Sequence, residues 1–236
     1  MRKAGQIVAE VLAKLTEAVK PGVTTAHLNV LAERELSARK AVPSFKGYRG
    51  FPASICASVN EEVVHGIPGP RRLKEGDIIS LDVGAIYQGF QGDAAVTVGV
   101  GEIDESARRL IEGTREALVA GIAAAKNGAR LGDISAAIQE HAESRGYSVV
   151  REYVGHGIGR VMHEDLQIPN FGVPGQGPLL QKGLTMALEP MVNIGGWKTK
   201  VAADGWTVVT ADGSLSAHFE HTIAISDGEA EILTRL

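Results

Sequence analysis

The sequence predicts an α+β fold in which two similar halves share one antiparallel sheet. Helical apolar spacing occurs in two separate stretches, and each is followed by short runs rich in aliphatic and β-branched residues. A short sequence pattern also recurs, at 22–28 and again at 128–134. In both places a chain-breaking glycine precedes an aliphatic residue by six positions. Since neither half is large enough to close a good core alone, we expect a single domain over 1–236, with pseudo-repeat halves at about 1–103 and 104–236.

The first half is predicted to begin with two helices. Apolar residues at helical spacing span 2–19, and Pro21 then breaks the chain. Thr24 or Thr25 can cap a second helix, which we expect to run to about Lys40.

A β-hairpin is predicted next, because apolar runs at 78–83 and 94–98 flank a glycine-rich stretch. Asp82 and Asp93 belong to this hairpin, although strands disfavour aspartate. If the hairpin is in register, both carboxylates can face the same side of the sheet. In the alternative interpretation, Asp82 ends a strand and Asp93 lies in the turn.

The second half repeats the pattern of two helices followed by strands. A long helix is predicted over 104–126, and a second one from about Gly132 to Glu143. The glycine- and proline-rich segment 172–178 is interpreted as a shaped surface loop. Strands are expected around 148–154, 184–193, 206–210 and 218–225.

Composition is typical of a soluble globular protein and excludes several function classes. Hydrophobic residues make up 44% and charged residues 22%, which argues against a disordered chain. The net charge of −4 gives no sign of nucleic-acid binding, and no apolar run approaches the ~20 residues that cross a bilayer. Cys56 is the single cysteine, which excludes an intrachain disulfide. We therefore expect a cytoplasmic protein with no membrane partner.

Two further acids lie in apolar segments that we interpret as strands. Glu189 follows Ala-Leu and Glu220 follows His-Phe, and the four acid-bearing segments contain no lysine or arginine. A buried carboxylate is costly unless it is paired or bound to a metal. His156 is flanked by glycines, which allow a ligand to approach closely. Beside four buried acids, His156 is therefore a candidate metal ligand.

This set of groups points to hydrolytic chemistry. Carboxylates with one imidazole suit divalent Mn, Fe, Co or Zn, and four carboxylates balance the charge of two such ions. Two adjacent cations can hold a bridging water, lower its pKa and polarise a carbonyl group. His65 and His163 are further imidazoles that could donate to a substrate carbonyl or to the developing oxyanion.

These residues lie in motifs that together resemble type I methionine aminopeptidases of peptidase family M24. The resemblance covers almost the whole chain, and it implies the pita-bread fold that this family shares with creatinase and proline-specific aminopeptidases. The spacing between His156 and Glu189 leaves no room for the helical insertion of type II enzymes. The matching segments are 60–68, Asp82 with Asp93, 155–159, 162–164, 188–191 and 219–222.

The resemblance also assigns roles to residues of the site. Glu189 corresponds to the candidate proton shuttle for the attacking water, and His65 and His163 correspond to the histidines that contact substrate. The implied cofactors are two divalent ions (Co, Mn, Fe(II) or Zn), and the implied nucleophile is a metal-bridged hydroxide. The five implied metal ligands are Asp82, Asp93, His156, Glu189 and Glu220.

A hydrophobic, partly aromatic pocket for methionine is implied as well, with Phe45 at its edge. Such a pocket suits a flexible thioether, although Phe45 and Phe51 could equally be core residues. Val64 and Met162 stand where relatives often have cysteine and phenylalanine, which is expected to reshape the pocket. The implied pocket residues are Tyr48, Phe51, Cys56, Met162 and Trp206.

The resemblance implies an enzyme that removes the initiator methionine from nascent polypeptides when the second residue is small. It further implies a monomer, transient association with the ribosome, and a monovalent cation near Asn60, Glu62 and Ser216. Three alternative functions are a proline-specific peptidase, a non-catalytic binding protein on the same scaffold, and a nucleotide-binding protein. The last is disfavoured because the glycines of 155–159 do not follow the G-x-G-x-x-G spacing.

Overall fold

Four helices form two consecutive pairs along the chain, which the computed structural model describes over residues 1–236. Side chains cap the N-termini of two of these helices, the second and the third along the chain. The Thr24 hydroxyl accepts the backbone N–H of His27, and the Asp104 carboxylate accepts that of Ala107. The helices are α1 (Arg2–Ala18), α2 (Thr25–Ala38), α3 (Glu105–Ala124) and α4 (Leu131–Glu143), all close to their predicted bounds. None of them is long and apolar enough to span a membrane.

Fifteen strands complete the fold. In the first half they are β1 (Val42–Pro43), β2 (Ile55–Val59), β3 (Glu62–Val64), β4 (Ile78–Tyr87) and β5 (Phe90–Gly99). In the second half they are β6 (Ser148–Val149), β7 (Gly155–Gly157), β8 (Glu164–Ile168), β9 (Thr185–Leu188), β10 (Met191–Asn193), β11 (Thr199–Val201), β12 (Val208–Thr210), β13 (Ser216–His218), β14 (Glu220–Ala224) and β15 (Glu231–Ile232).

One nine-stranded sheet runs through both halves. Its strand order is β1-β4-β5-β14-β9-β7-β8. In addition, β2 pairs with β4 and β15 pairs with β14, and every pairing in the sheet is antiparallel. The halves meet where β5 pairs with β14, with Ala95 opposite Glu220. Two small sheets, β13-β10-β6 and β11-β12-β3, lie beside it. The predicted division near residue 103 stays a prediction.

The helices cover one face of the large sheet and leave the other face to the site. In the first half, α1 and α2 pack on the face that carries Leu81 and Ala94. In the second half, α3 and α4 pack on the face that carries Ile223 and Leu188. Because strand side chains alternate between faces, Asp82 and Glu220 point away from the helices.

The hairpin of β4 and β5 brings its two aspartates to one face, as the in-register interpretation predicts. Gly84 pairs with Asp93, and Asp82 lies two residues before Gly84 on the same strand face. Both aspartates lie inside their strands, so the strand-end and turn alternatives are wrong. The strands are longer than predicted and reverse at Gln88 and Gly89, which both have positive φ, as a tight hairpin turn requires.

The expectation that Glu189 lies inside a strand is wrong, whereas Glu220 does lie in a strand, at its first residue. Strand β9 ends at Leu188 and β10 begins at Met191, because Pro190 cannot donate to a ladder and the chain passes to another sheet there. Glu189 therefore occupies the junction. Glu220 is the first residue of β14, immediately after a similar change of sheet at Phe219.

Candidate active site

A cavity of about 150 Å³ opens on the face of the sheet opposite the helices. It brings together all the predicted metal ligands, both predicted substrate-contacting histidines and every predicted pocket residue. The lining residues are Phe45, Tyr48, Arg49, Phe51, Cys56, His65, Asp82, Asp93, His156, Met162, His163, Glu189, Trp206 and Glu220.

Four carboxylates converge on the polar end of this cavity from three parts of the fold. Asp82 and Asp93 come from the hairpin, Glu220 from β14 and Glu189 from the β9–β10 junction. Burial raises the pKa of Asp82 to about 7. Burial and the neighbouring carboxylates raise the pKa values of the other three well above their ordinary range. The protein alone therefore does not stabilise four negative charges at this place.

His156, on β7, presents one ring nitrogen to these acids. Its Nδ1 lies 2.9 Å from the carbonyl oxygen of Gly157, an acceptor, so Nδ1 carries the proton. Its Nε2 is then a free acceptor, 3.8 Å from Asp93 Oδ2 and 3.6 Å from Glu189 Oε1. Burial lowers the pKa of His156, and a neutral imidazole with a bonded Nδ1 is typical of a metal ligand.

The donor set fits divalent cations. Three buried carboxylate oxygens have no hydrogen-bond partner: Asp82 Oδ1, Asp93 Oδ1 and Glu220 Oε1. One ligand atom each from Asp93, His156 and Glu220 lie within 4.8 Å of one another. No lysine or arginine forms an ion pair with any of the four acids. Unpartnered oxygens with no counter-charge are what a bound cation would satisfy.

His163 lies beside the metal-ligand cluster at the cavity mouth. Its ring centroid is 4.2 Å from that of His156, and its Nδ1 is 2.8 Å from the Tyr48 hydroxyl oxygen. Burial, with the nearby His156 and Arg49, lowers the pKa of His163 to about 4. The imidazole is therefore neutral at physiological pH and can donate one proton in a hydrogen bond.

His65 follows β3, and its side chain lines the cavity. Its backbone conformation is strained. Its φ of 61° lies in the left-handed region, which is unfavourable for a residue with a side chain. Its ring meets Tyr153 edge-on at 5.8 Å between centroids, and burial lowers its pKa. Strain of this kind is found where a side chain must be aimed at a site.

The apolar end of the cavity is a pocket of mixed aromatic and sulfur-bearing side chains. Phe51 and Trp206 meet edge-on at 5.2 Å between ring centroids. Cys56 and Met162 are buried in the same small cluster, with Tyr48 packed against it. Phe45 and Phe51 belong to this cluster and line the cavity, so neither belongs to the two large cores.

Three residues around the cavity were missed from sequence. Arg49 lines the mouth with a φ of 49°, a conformation that no sequence pattern there indicated. Asn170 donates from Nδ2 to the Glu189 carbonyl oxygen at 3.0 Å. His218 is 2% exposed, and burial lowers its pKa to about 3. Its position two residues before Glu220 in an apolar segment was an available signal.

The segments predicted for a monovalent cation also lie together. The Ser216 backbone N–H donates to the Asn60 carbonyl oxygen at 3.0 Å, and Asn60 has a left-handed φ of 60°. The Glu62 carboxylate accepts the backbone N–H of Val59 at 2.7 Å. The cation itself stays a prediction.

A cluster of unpartnered carboxylates beside neutral imidazoles and an apolar pocket defines a metal-dependent hydrolase. Comparison with known proteins gives the family. The chain belongs to metallopeptidase family M24, whose model matches residues 1–227.

Full-length relatives carry the name methionine aminopeptidase. The protein from Clostridium acetobutylicum is 58% identical, over 99% of this chain and 94% of its own length. Methionine aminopeptidase 1 from Bacillus subtilis is 54% identical, over 100% of this chain and 95% of its own length.

Solved structures confirm the predicted pita-bread fold. Methionine aminopeptidase from Thermotoga maritima superposes with a TM-score of 0.99 at 53% identity, covering 100% of this chain and 95% of that one. Prolidase from Pyrococcus furiosus superposes with a TM-score of 0.81 at 21% identity, covering 100% of this chain and 63% of that one. The second likeness shows the fold alone.

Proposed function

We propose that this chain is a methionine aminopeptidase that removes the initiator methionine from polypeptides whose second residue is small. The observation that carries the proposal is the cavity, in which an apolar, sulfur-lined pocket adjoins a cluster of unpartnered carboxylates. An exopeptidase needs both features, one to select a side chain and one to activate water. The names and full-length identity of the relatives support the same activity.

Five residues would hold two divalent cations of Co, Mn, Fe(II) or Zn. When bound, such ions lower the pKa of water and polarise a carbonyl group. Four carboxylates offset the charge of two divalent ions, and the His156 Nε2 supplies a neutral donor. The five residues are Asp82, Asp93, His156, Glu189 and Glu220.

The pocket would take the methionine side chain. Phe51 and Trp206 form an aromatic corner, and a thioether packs favourably on ring edges. Cys56 and Met162 add polarisable sulfur atoms to the buried wall. Tyr48 would close the pocket at the side of His163.

His163 and His65 would stabilise the transition state as neutral donors. With the Tyr48 hydroxyl donating to Nδ1 of His163, the Nε2–H of that ring is available to a developing oxyanion. Glu189 would accept a proton from the attacking water and pass it to the leaving amine.

The substrate class suggests a cellular setting. Polypeptides with a free initiator methionine are new chains, so we propose action in the cytoplasm, as a monomer in transient association with the ribosome. A monovalent cation held by the backbone near Asn60, Glu62 and Ser216 would brace the strands beside the site. Val64 and Met162 would tune the choice of peptide rather than the chemistry.

Methionine release from the peptide Met-Ala-Ser tests the proposal. The protein is treated with chelator, and Mn²⁺, Co²⁺, Fe²⁺ or Zn²⁺ is then added back singly. We expect release to be lost and then restored by metal, with no release of leucine from Leu-Ala-Ser. Absence of methionine release from folded, metal-loaded protein would contradict the proposal. Cleavage of a Leu-Pro peptide instead would favour a proline-specific peptidase.

A further inference from the structure

The Glu189 carboxylate lies between two imidazole rings. Its Oε1 is 3.6 Å from Nε2 of His156, and its Oε2 is 3.9 Å from Nε2 of His218. His156 belongs to the predicted ligand set, whereas His218 has no role so far. The Nε2 of His218 is buried and has no hydrogen-bond partner.

The backbone on both sides of this contact is fixed. The Thr97 hydroxyl accepts the His218 N–H and donates to the His218 carbonyl oxygen, both at 2.8 Å. His218 also pairs with Met191 across β10 and β13. The Glu189 carbonyl oxygen is held by Asn170. With both main chains held, the carboxylate can adjust to its neighbours chiefly by side-chain rotation.

We infer that His218 is a positioning residue for Glu189, whose Oε2 accepts a hydrogen bond from Nε2 of the His218 ring. A buried N–H without an acceptor is unfavourable, and Glu189 Oε2 faces it. A small rotation of the carboxylate brings the two atoms within hydrogen-bonding distance. Holding Oε2 in this way leaves Oε1 directed at His156 and the neighbouring acids.

This role rests on the proposed function, because it concerns the orientation of a residue assigned to metal binding and proton transfer. A partner that orients a ligating carboxylate typically contributes 10- to 100-fold to metal affinity or activity. His218→Leu keeps a buried side chain of similar size but removes the donor. His218→Gln keeps an N–H donor at a comparable distance from the backbone.

The test uses Mn²⁺ binding to the chelator-treated protein, measured by calorimetry, together with the visible absorption of its Co²⁺ form. We expect His218→Leu to weaken Mn²⁺ binding about 10- to 100-fold and to change the Co²⁺ spectrum. We expect His218→Gln to restore both properties. In turnover of Met-Ala-Ser, His218→Leu should lower kcat while KM changes little.

His221→Leu is the matched control. His221 lies on β14 next to Glu220, but its ring is on the helix face, where Nδ1 is 2.8 Å from the Thr234 hydroxyl oxygen. This variant also removes a largely buried imidazole and should lower the melting temperature. It should leave Mn²⁺ affinity and the Co²⁺ spectrum as in the wild type.

Two results would overturn the inference. The first is a folded His218→Leu variant that has the same Mn²⁺ affinity and Co²⁺ absorption as the wild-type protein. The other is an equal loss in His218→Gln and His218→Leu when both keep the wild-type melting temperature. Failure of the proposed function would look different, because wild-type protein would then bind Mn²⁺ without releasing methionine.

Discussion

The hydroxyl group of Thr222 holds both backbone polar groups of Asp93, a residue 129 positions earlier in the chain. It accepts the Asp93 N–H at 3.0 Å and donates to the Asp93 carbonyl oxygen at 2.8 Å. Thr97 makes the same pair of bonds to His218, 121 positions later. Two threonine side chains therefore tie the halves together beside the candidate metal ligands.

Thr222→Val should destabilise the protein without changing its shape. The valine side chain fills the same space, but it leaves a buried N–H and a buried carbonyl of Asp93 without partners. We expect the free energy of unfolding to fall by about 2 to 4 kcal/mol, measured by urea denaturation of the metal-free protein.

Ser226→Ala is the control for that experiment, because the Ser226 hydroxyl bonds to Glu229 in an exposed turn. It should change the free energy of unfolding by less than about 0.5 kcal/mol. Equal small effects in the two variants would show that the contact at Asp93 contributes nothing.

His163→Ala should impair catalysis and leave metal binding intact. The ring is a neutral donor at the cavity mouth and is not among the predicted ligands. Loss of one such donor typically lowers kcat about 100- to 1,000-fold. Turnover of Met-Ala-Ser and the metal content of purified protein would both be measured. His141→Ala, at an imidazole on α4 beside Glu116, should turn over normally. Normal turnover in His163→Ala would refute the assigned role.

Trp206→Ala should weaken selection of methionine. It removes one wall of the aromatic corner, and changes in such pockets alter discrimination about 10- to 200-fold. We expect kcat/KM for Met-Ala-Ser to fall by that factor at unchanged metal content. Trp197→Ala is the matched control, because Trp197 stacks on Arg151 outside the cavity. Equal kcat/KM in the two variants would place the methionine pocket elsewhere.

The stability of the metal-free protein should fall as pH rises above about 6.5. Burial raises the pKa of Asp82 to about 7 and those of Asp93, Glu189 and Glu220 well above their ordinary range. In this window the folded state keeps protons that the unfolded state has released, so the free energy of unfolding decreases with pH. The buried histidines have lowered pKa values, so they make the free energy of unfolding rise with pH. This opposite effect lies mainly below about pH 6.5.

Urea denaturation at several pH values between about 6.5 and 8 would measure this slope. Glu220→Gln should make the slope shallower, because one of the raised groups is removed. Saturating Mn²⁺ should abolish most of the slope, because a cation favours the charged carboxylates. A metal-free protein that grows more stable with pH over this range would contradict the assigned burial of the acids.

Much of the fold follows from local signals in the sequence. Threonine and aspartate caps define the starts of α2 and α3. The sequence left two interpretations of the hairpin open, and the in-register one places Asp82 and Asp93 on one face, as the structure does. The resemblance to M24 enzymes identified residues that the structure brings into one cavity.

Other features depend on contacts between distant segments and carry weak local signals. Strand β7 has only three residues, two of them glycines, so no alternation of polar and apolar residues marks it. The position of Glu189 at a junction depends on β10 leaving one sheet to pair with β13 in another. The approach of His218 to Glu189 follows from that same change of sheet.

Anomalous diffraction from crystals of the protein grown with Mn²⁺ would locate the proposed metal site. We expect two anomalous peaks in the cavity, coordinated between them by Asp82, Asp93, His156, Glu189 and Glu220. A single peak would contradict the two-cation site. Peaks confined to other parts of the molecule would contradict the assignment of these five residues as ligands.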